Sequence, residues 1–205
     1  MADHYGYSSN IPPWDDEFIF KHVKQNLSLH RAKTVFELGC GNGQTAKRLI
    51  ESGFSVTAIE ASESGAKIAQ SLCPGARIDV CSVYEDLAAR YGQFDAVVSL
   101  EVLEHLYDPK LFAKRCFEVL CPGGIAVIST PYHGYLKNLA IALVGKYDSH
   151  HNPLWDHGHI KFFSRATLTQ LFVEQGFTPI DFKRLGRLPV IAKSMLGVFQ
   201  KPQHS

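Results

Sequence analysis

The chain is 205 residues long and nearly neutral, with 21 basic and 20 acidic side chains. That length suits one domain of the larger kind with a full interior, and the charge balance argues against a broad electrostatic footprint for nucleic acid. No apolar run approaches the roughly 18 residues of a membrane helix, and the polar stretch Met1 to Asn10 lacks the apolar core of a secretion signal.

Residues 11–30, with Trp14, Phe18, Phe20 and Val23, read as a helical cover ahead of the first strand. Thr34-Val35-Phe36 has the β-branched and aromatic make-up of a buried strand. It runs through Glu37 and Leu38 into Gly39-Cys40-Gly41-Asn42-Gly43, a turn with glycine at every second position. Such a turn takes up positive φ and admits a ligand where a Cβ would not. Gln44 to Ser52 repeats apolar residues at Ala46, Leu49 and Ile50 and stops at Gly53, which predicts a helix whose free N–H groups face the turn. Phe54 to Ile59 alternates as a strand and ends on Glu60. That acid is placed to accept the two hydroxyls of a ribose, or else it is a solvated acid at a helix start. Ser62 and Glu63 read as the cap and first turn of a helix reaching Leu72.

Ala76 to Cys81 reads as a short strand and Phe94 to Leu100 as a strongly buried one. Asp108 as N-cap and Pro109 at the first helical position open a helix with Phe112, Cys116, Val119 and Leu120 on one side. Cys121-Pro122-Gly123-Gly124 ends it, and Ile125 to Thr130 is the next strand. This alternation specifies a parallel sheet with helices on both faces, and ligands bind beyond the C-terminal ends of its strands. Residues 131–163 break the rhythm. They are aromatic and histidine-rich, with one predicted helix near Leu136–Val144, and read as a lid or acceptor-binding insert. Ser164 caps a helix striped with Leu168, Leu171 and Phe172 and closed by Gly176. Thr178–Leu185 and Met195–Gln200 follow as an antiparallel pair at the sheet edge. No internal repeat or linker divides residues 1–205, so one domain is expected. The five cysteines contain no C-x-x-C pair and lie in apolar segments or at strand ends, which predicts reduced thiols and a cytoplasmic location.

The turn at 37–43 has the spacing E-x-G-x-G-x-G, one residue shorter than the dinucleotide pattern G-x-G-x-x-G, which disfavours an NAD-dependent oxidoreductase. An acid at Glu37 repels a pyrophosphate and suits an ammonium group. The pattern resembles motif I of the class I S-adenosylmethionine (SAM) methyltransferases. Glu101-Val102-Leu103-Glu104-His105, running on to Asp108-Pro109, and the corner Leu120 to Ile125 resemble the ubiquinone-biosynthesis O-methyltransferases and their relatives. The resemblance covers about residues 30–200. It implies an α/β, Rossmann-like, seven-stranded and mostly parallel sheet with an antiparallel last strand. It also implies SAM as cofactor, with Glu37 near the methionine amino group, Gly39, Cys40, Gly41 and Gly43 under the nucleoside, and Glu60 on the ribose. Ala61 and Leu100 join the implied cofactor contacts. Many relatives carry an aspartate for the adenine amino group; here Cys81-Ser82-Val83 stands in its place. The Ser82 hydroxyl and Val83 N–H are the candidates to meet the base.

Methyl transfer from a sulfonium is an in-line displacement in which positioning does much of the work, and an oxygen nucleophile also has to lose its proton. Glu101, Glu104 and His105, at i, i+3 and i+4 of a helical turn, are expected to share a face. His105 is then the general base, oriented by a glutamate, or alternatively Glu101 and His105 only brace a buried helix. The insert supplies His150, His151, Trp155, Asp156, His157, His159, Phe162 and Phe163, an aromatic and imidazole mixture suited to a flat phenol or quinol. His157 and His159 immediately precede the next helix entry and are the better placed. The resemblance also implies a possible divalent metal on Glu101, Glu104 and His105 with His159, or else His157, which would lower the pKa of an acceptor hydroxyl. The expected function is methyl transfer from SAM to a small molecule at oxygen. RNA- or nucleotide-directed methylation and non-catalytic SAM binding are the alternatives.

Overall fold

The computed structural model describes residues 17–152, 154, 158–186 and 192–203. Trp14, Trp155, Asp156 and His157 lie outside the described residues. The cover is helix α1, Glu17–Leu29, which buries Ile19, Phe20, Val23 and Leu27. Its i, i+1, i+4, i+8 spacing makes one apolar stripe. Phe18, expected on that stripe, points outward at 68% exposure.

Strand β1 (Thr34–Leu38) is followed by α2 (Gln44–Glu51), β2 (Ser55–Glu60), α3 (Glu63–Leu72), β3 (Arg77–Val80), α4 (Leu87–Tyr91) and β4 (Phe94–Leu100). A 3₁₀ turn, Leu103–His105, precedes α5 (Pro109–Glu118) and β5 (Leu120–Pro131). The insert carries α6 (Tyr135–Leu143) and α7 (Tyr147–His150), and α8 (Arg165–Val173), β6 (Thr178–Leu185) and β7 (Ser194–Gln200) complete the chain. The seven strands form one sheet in the order β3-β2-β1-β4-β5-β7-β6. β1 to β5 are parallel, and β7 runs antiparallel to both β5 and β6. The sheet is therefore the expected one, with the last strand inserted between β5 and the edge strand β6. Neighbouring residues divide between two cores: Phe36, Val97, Ala126 and Ile128 belong to one, and Val35, Ala96, Val98, Ile125 and Val127 to the other. Side chains alternate across a strand, so each core lies on one face of the sheet.

The local signals act as expected at three helix starts. Ser62 Oγ accepts from the Gly65 N–H, Asp108 Oδ1 from the Leu111 N–H, and Ser164 from Thr167 in a capping box. α4 was not anticipated; it is a single short helix capped by Asp86. The Cys121–Gly124 corner does not end a helix ahead of the strand. It is an irregularity inside β5, because Leu120 already pairs with Phe94 before regular pairing resumes at Ile125 with Ala96. Lys201 holds this corner, its Nζ donating to the Phe117 and Leu120 carbonyls at 2.9 Å each.

Candidate active site

A cavity of about 640 Å³ opens beyond the C-terminal ends of the parallel strands. β1 delivers Glu37 and the glycine turn, β2 delivers Glu60 and Ala61, and the segment after β3 delivers Cys81, Ser82 and Val83. Leu100, Glu101, Glu104 and His105 follow from β4 and the 3₁₀ turn, and His159 comes from the return of the insert.

The glycine turn needs its glycines for two different reasons. All three have positive φ, +78° at Gly39, +54° at Gly41 and +83° at Gly43. A Cβ on Gly39 would lie 2.6 Å from a Val102 methyl, and one on Gly43 would lie 2.7 Å from the Ala69 Cβ. Gly43 was expected under a nucleoside. The structure instead packs it against α3 and leaves it out of the cavity wall, where Gly39, Cys40, Gly41 and Asn42 stand. Both Gly39 and Cys40 donate their N–H to the Ile59 carbonyl, which ties the turn to β2.

Glu60 is buried, so it is not the solvated acid of the alternative reading. Its Oε2 accepts from the Gly41 N–H at 2.8 Å and its Oε1 from the Ser62 N–H at 2.9 Å. Glu37 is more isolated. Its Oε2 is buried with no hydrogen-bond partner among the described residues, and burial, helped by the Glu60 charge, pushes its carboxyl up to about 8. A buried carboxylate in that position calls for a cation, and a ligand ammonium would supply one. Cys40 beside it is no nucleophile, because burial and then Glu37 hold its thiol far above the usual range.

The expected shared helical face of Glu101, Glu104 and His105 is not what forms. Only Leu103–His105 is helical, as a 3₁₀ turn, and Glu101 lies outside it in the left-handed region at φ +54°. Glu101 Oε1 accepts from the Ser129 hydroxyl at 2.9 Å, and its N–H reaches the same hydroxyl at 3.1 Å. Glu104 turns inward. Thr130 Oγ1 donates to its Oε2 at 3.0 Å, while Oε1 faces two imidazoles, His105 Nε2 at 4.0 Å and His159 Nε2 at 3.9 Å. Burial, with Glu101 adding, raises this carboxyl well above its usual range. His105 Nδ1 lies 3.2 Å from the Gly158 carbonyl. A carbonyl can only accept, so Nδ1 carries a proton, and in the neutral ring Nε2 is the basic nitrogen.

His159 reaches this site through backbone pairing: the Ile160 and Lys161 N–H groups both donate to the Glu104 carbonyl, at 2.9 and 3.0 Å. One carboxylate oxygen and two imidazole nitrogens, from Glu104, His105 and His159, lie within 4.8 Å of one another. Mixed oxygen and imidazole donors in that set suit Mn²⁺, Fe²⁺ or Zn²⁺ better than Mg²⁺. Glu101 is not among them. The sequence did not single out Thr130, Ser129, Lys137, Lys193 or Ser194, although the last three also line the cavity. One signal was available: an antiparallel last strand starts at the edge where parallel strands end, so the first residues of β7 belong at the site.

The doubly wound sheet with an acid-flanked glycine turn defines a class I methyltransferase fold. A family profile described as a methyltransferase domain matches residues 14–181, and the chain belongs to that family. It is 34% identical over 185 residues to a ubiquinone biosynthesis O-methyltransferase of Chromobacterium violaceum, covering 88% of this chain and 77% of the relative. Against the protein of that name from Caulobacter vibrioides it is 37% identical over 116 residues, covering 55% of this chain and 46% of the relative. The chain thus spans about half the length of some of the relatives it matches. A solved Burkholderia thailandensis 1,6-didemethyltoxoflavin-N1-methyltransferase, with bound 1,6-didemethyltoxoflavin and S-adenosylhomocysteine, superposes with a TM-score of 0.66 at 20% identity. That match covers 92% of this chain and 80% of the other.

Proposed function

We propose that the chain binds SAM in the cavity at the strand ends and transfers its methyl group to an oxygen of a small phenol- or quinol-like acceptor, in the cytoplasm. The observation that carries this reading is the buried Oε2 of Glu37, without a hydrogen-bond partner among the described residues, beside a glycine turn. It matches the ammonium of SAM, which favours the carboxylate over the neutral acid. Glu60 holds the turn and stands at the ribose position, while Ser82 and Val83 face the base. When bound, SAM supplies an electrophilic methyl on a sulfonium. The protein's part is to orient the acceptor, exclude water and take a proton. His105 Nε2 is the acceptor of that proton, with its ring fixed by the Gly158 carbonyl and Glu104 facing it. Residues 131–163 act as the lid.

The Glu104, His105 and His159 cluster supports a metal-assisted version of the same reaction, in which those three residues hold the ion and it lowers the acceptor hydroxyl's pKa. Calorimetric titration of SAM and NAD tests the cofactor: SAM binding without NAD binding is expected, and the reverse would overturn the reading. Titration of chelated protein with Mn²⁺ or Zn²⁺ tests the metal. Binding lost in His159→Ala would support it, and full activity without binding would leave His105 as a metal-free base.

A further inference from the structure

Among the described residues two non-glycines take positive φ, Arg31 at +55° and Glu101 at +54°. Arg31 is exposed two residues beyond α1, where a left-handed residue is an ordinary way to end a helix. Glu101 has no such place. It follows the last residue of β4, half-buried in the cavity wall, and a left-handed backbone there is strained. Glycine would take the same φ freely, so the turn by itself does not call for a glutamate.

One neighbour holds the strained residue. Ser129 is fully buried on β5 and pairs with Leu100 at the last register position of β4 and β5. The Glu101 N–H donates to the Ser129 carbonyl and hydroxyl, both at 3.1 Å, and that hydroxyl donates in turn to Glu101 Oε1 at 2.9 Å. Backbone and carboxylate are therefore fixed together on the cavity wall. β4 lies beside β1 in the sheet. Glu101 thus enters the wall from the strand next to the glycine turn and four residues ahead of His105.

We infer that Glu101 distinguishes the charged cofactor from its uncharged product, its carboxylate being held in place to attract the sulfonium. In the proposed reaction the methyl carbon bonds to the acceptor oxygen and the C–S bond breaks. Its electron pair stays on sulfur, the acceptor's proton goes to His105, and the cofactor loses one positive charge. SAM and S-adenosylhomocysteine share the ammonium, the ribose and the base, so Glu37 and Glu60 treat them alike. A fixed negative charge between the ammonium site and the proton acceptor favours SAM and eases departure of the product. The attraction is coulombic and needs no hydrogen bond beyond those Glu101 already makes.

The inference rests on the SAM reading, and the test separates the two. Calorimetric titration of SAM and of S-adenosylhomocysteine is compared between wild type and variants. Glu101→Gln keeps an oxygen for the Ser129 hydroxyl and removes the charge. It should weaken SAM about five- to tenfold more than S-adenosylhomocysteine, the size of one partly screened charge pair. Glu37→Gln should weaken both ligands by the same factor, since both carry the ammonium. Glu101→Gly and Glu101→Ala should both shift the ratio as Glu101→Gln does, with the glycine variant unfolding at the higher urea concentration because it takes +54° without strain. An unchanged ratio in Glu101→Gln, or an equal shift in Glu37→Gln, would overturn the assignment. So would a wild-type ratio in Glu101→Gly, which would mean that the residue only shapes the turn. A wild type that binds neither ligand would remove the SAM reading and the inference with it, whereas binding of both with no change of ratio removes the inference alone.

Discussion

Glu37 is held neutral in the free protein by burial and by the Glu60 charge, with its carboxyl raised to about 8. The unfolded chain gives up that proton near 4.5, so between those two values the folded state binds more protons than the unfolded one. Stability then falls as pH rises from about 4.5 towards 8. A ligand ammonium reverses the preference, because it favours the carboxylate. SAM binding near pH 7 should therefore release close to one proton, measurable by calorimetry in buffers of different ionisation enthalpy. Glu37→Gln should abolish the release, weaken SAM by roughly 1.5–3 kcal/mol and flatten the pH dependence of the free protein's stability. A wild-type proton count in the variant would remove Glu37 from the ammonium site. The glycines of the same turn separate packing from binding. At Gly43 an added Cβ meets the Ala69 Cβ and Cα at 2.7 and 2.8 Å, and the latter is backbone that cannot swing away. Gly43→Ala should cost about 1–3 kcal/mol in urea unfolding, from overpacking and from the left-handed backbone. At Gly39 the obstacle is the Val102 side chain, so Gly39→Ala combined with Val102→Ala should recover stability that the same partner change cannot recover at Gly43.

The element that completes the candidate catalytic cluster is the return segment of the insert, not the helix that sequence spacing predicted. Ile160→Pro removes one of the two N–H groups on the Glu104 carbonyl. It should loosen His159 and lower turnover by more than about tenfold, since small displacements of a positioned group are costly, with little change in the far-ultraviolet circular dichroism. Unchanged turnover would mean that His159 has no part in the chemistry. The contrast shows what was legible beforehand. Asp108 with Pro109, Ser164 and Gly176 act through their nearest neighbours along the chain, and the structure uses them as the sequence predicts. Apolar runs such as Phe94–Leu100 are buried wherever they pair, so the sheet was legible too. Glu101 was misplaced because its left-handed φ follows from Ser129, a neighbour on another strand. Lys193 and Ser194 were missed because only the insertion of β7 beside β5 brings them to the cavity. The cleft was readable from local rules, while the partners of each charged group depend on pairings between distant segments.

At the scale of the molecule, two parts of unlike stability share the cavity. The strands that carry Glu37, Glu60 and Leu100 are central, flanked by cores on both faces. The insert is built differently: α6 buries Ile141 alone and leaves Tyr135, Leu136, Leu139 and Leu143 exposed. Its attachment to the rest includes a loose ring cluster in which His133, His151 and Phe162 lie 4.8 to 5.4 Å apart between centroids. Few buried apolar contacts mean a low free energy of local opening, so amide exchange in α6 and α7 should be much faster than in β1 or β4. Saturating SAM at about 100 times its dissociation constant adds about 2.7 kcal/mol to global stability, which should slow exchange in the central strands first. If residues 131–163 are a lid over the acceptor, α6 and α7 should gain protection only when an acceptor joins the cofactor; the insert contributes Lys137 and His133 to the cavity wall. Hydrogen exchange on the free, SAM-bound and ternary protein separates the cases. Protection of α6 by SAM alone would make the insert part of the cofactor site, and identical exchange in all three states would leave the cavity open and without a lid.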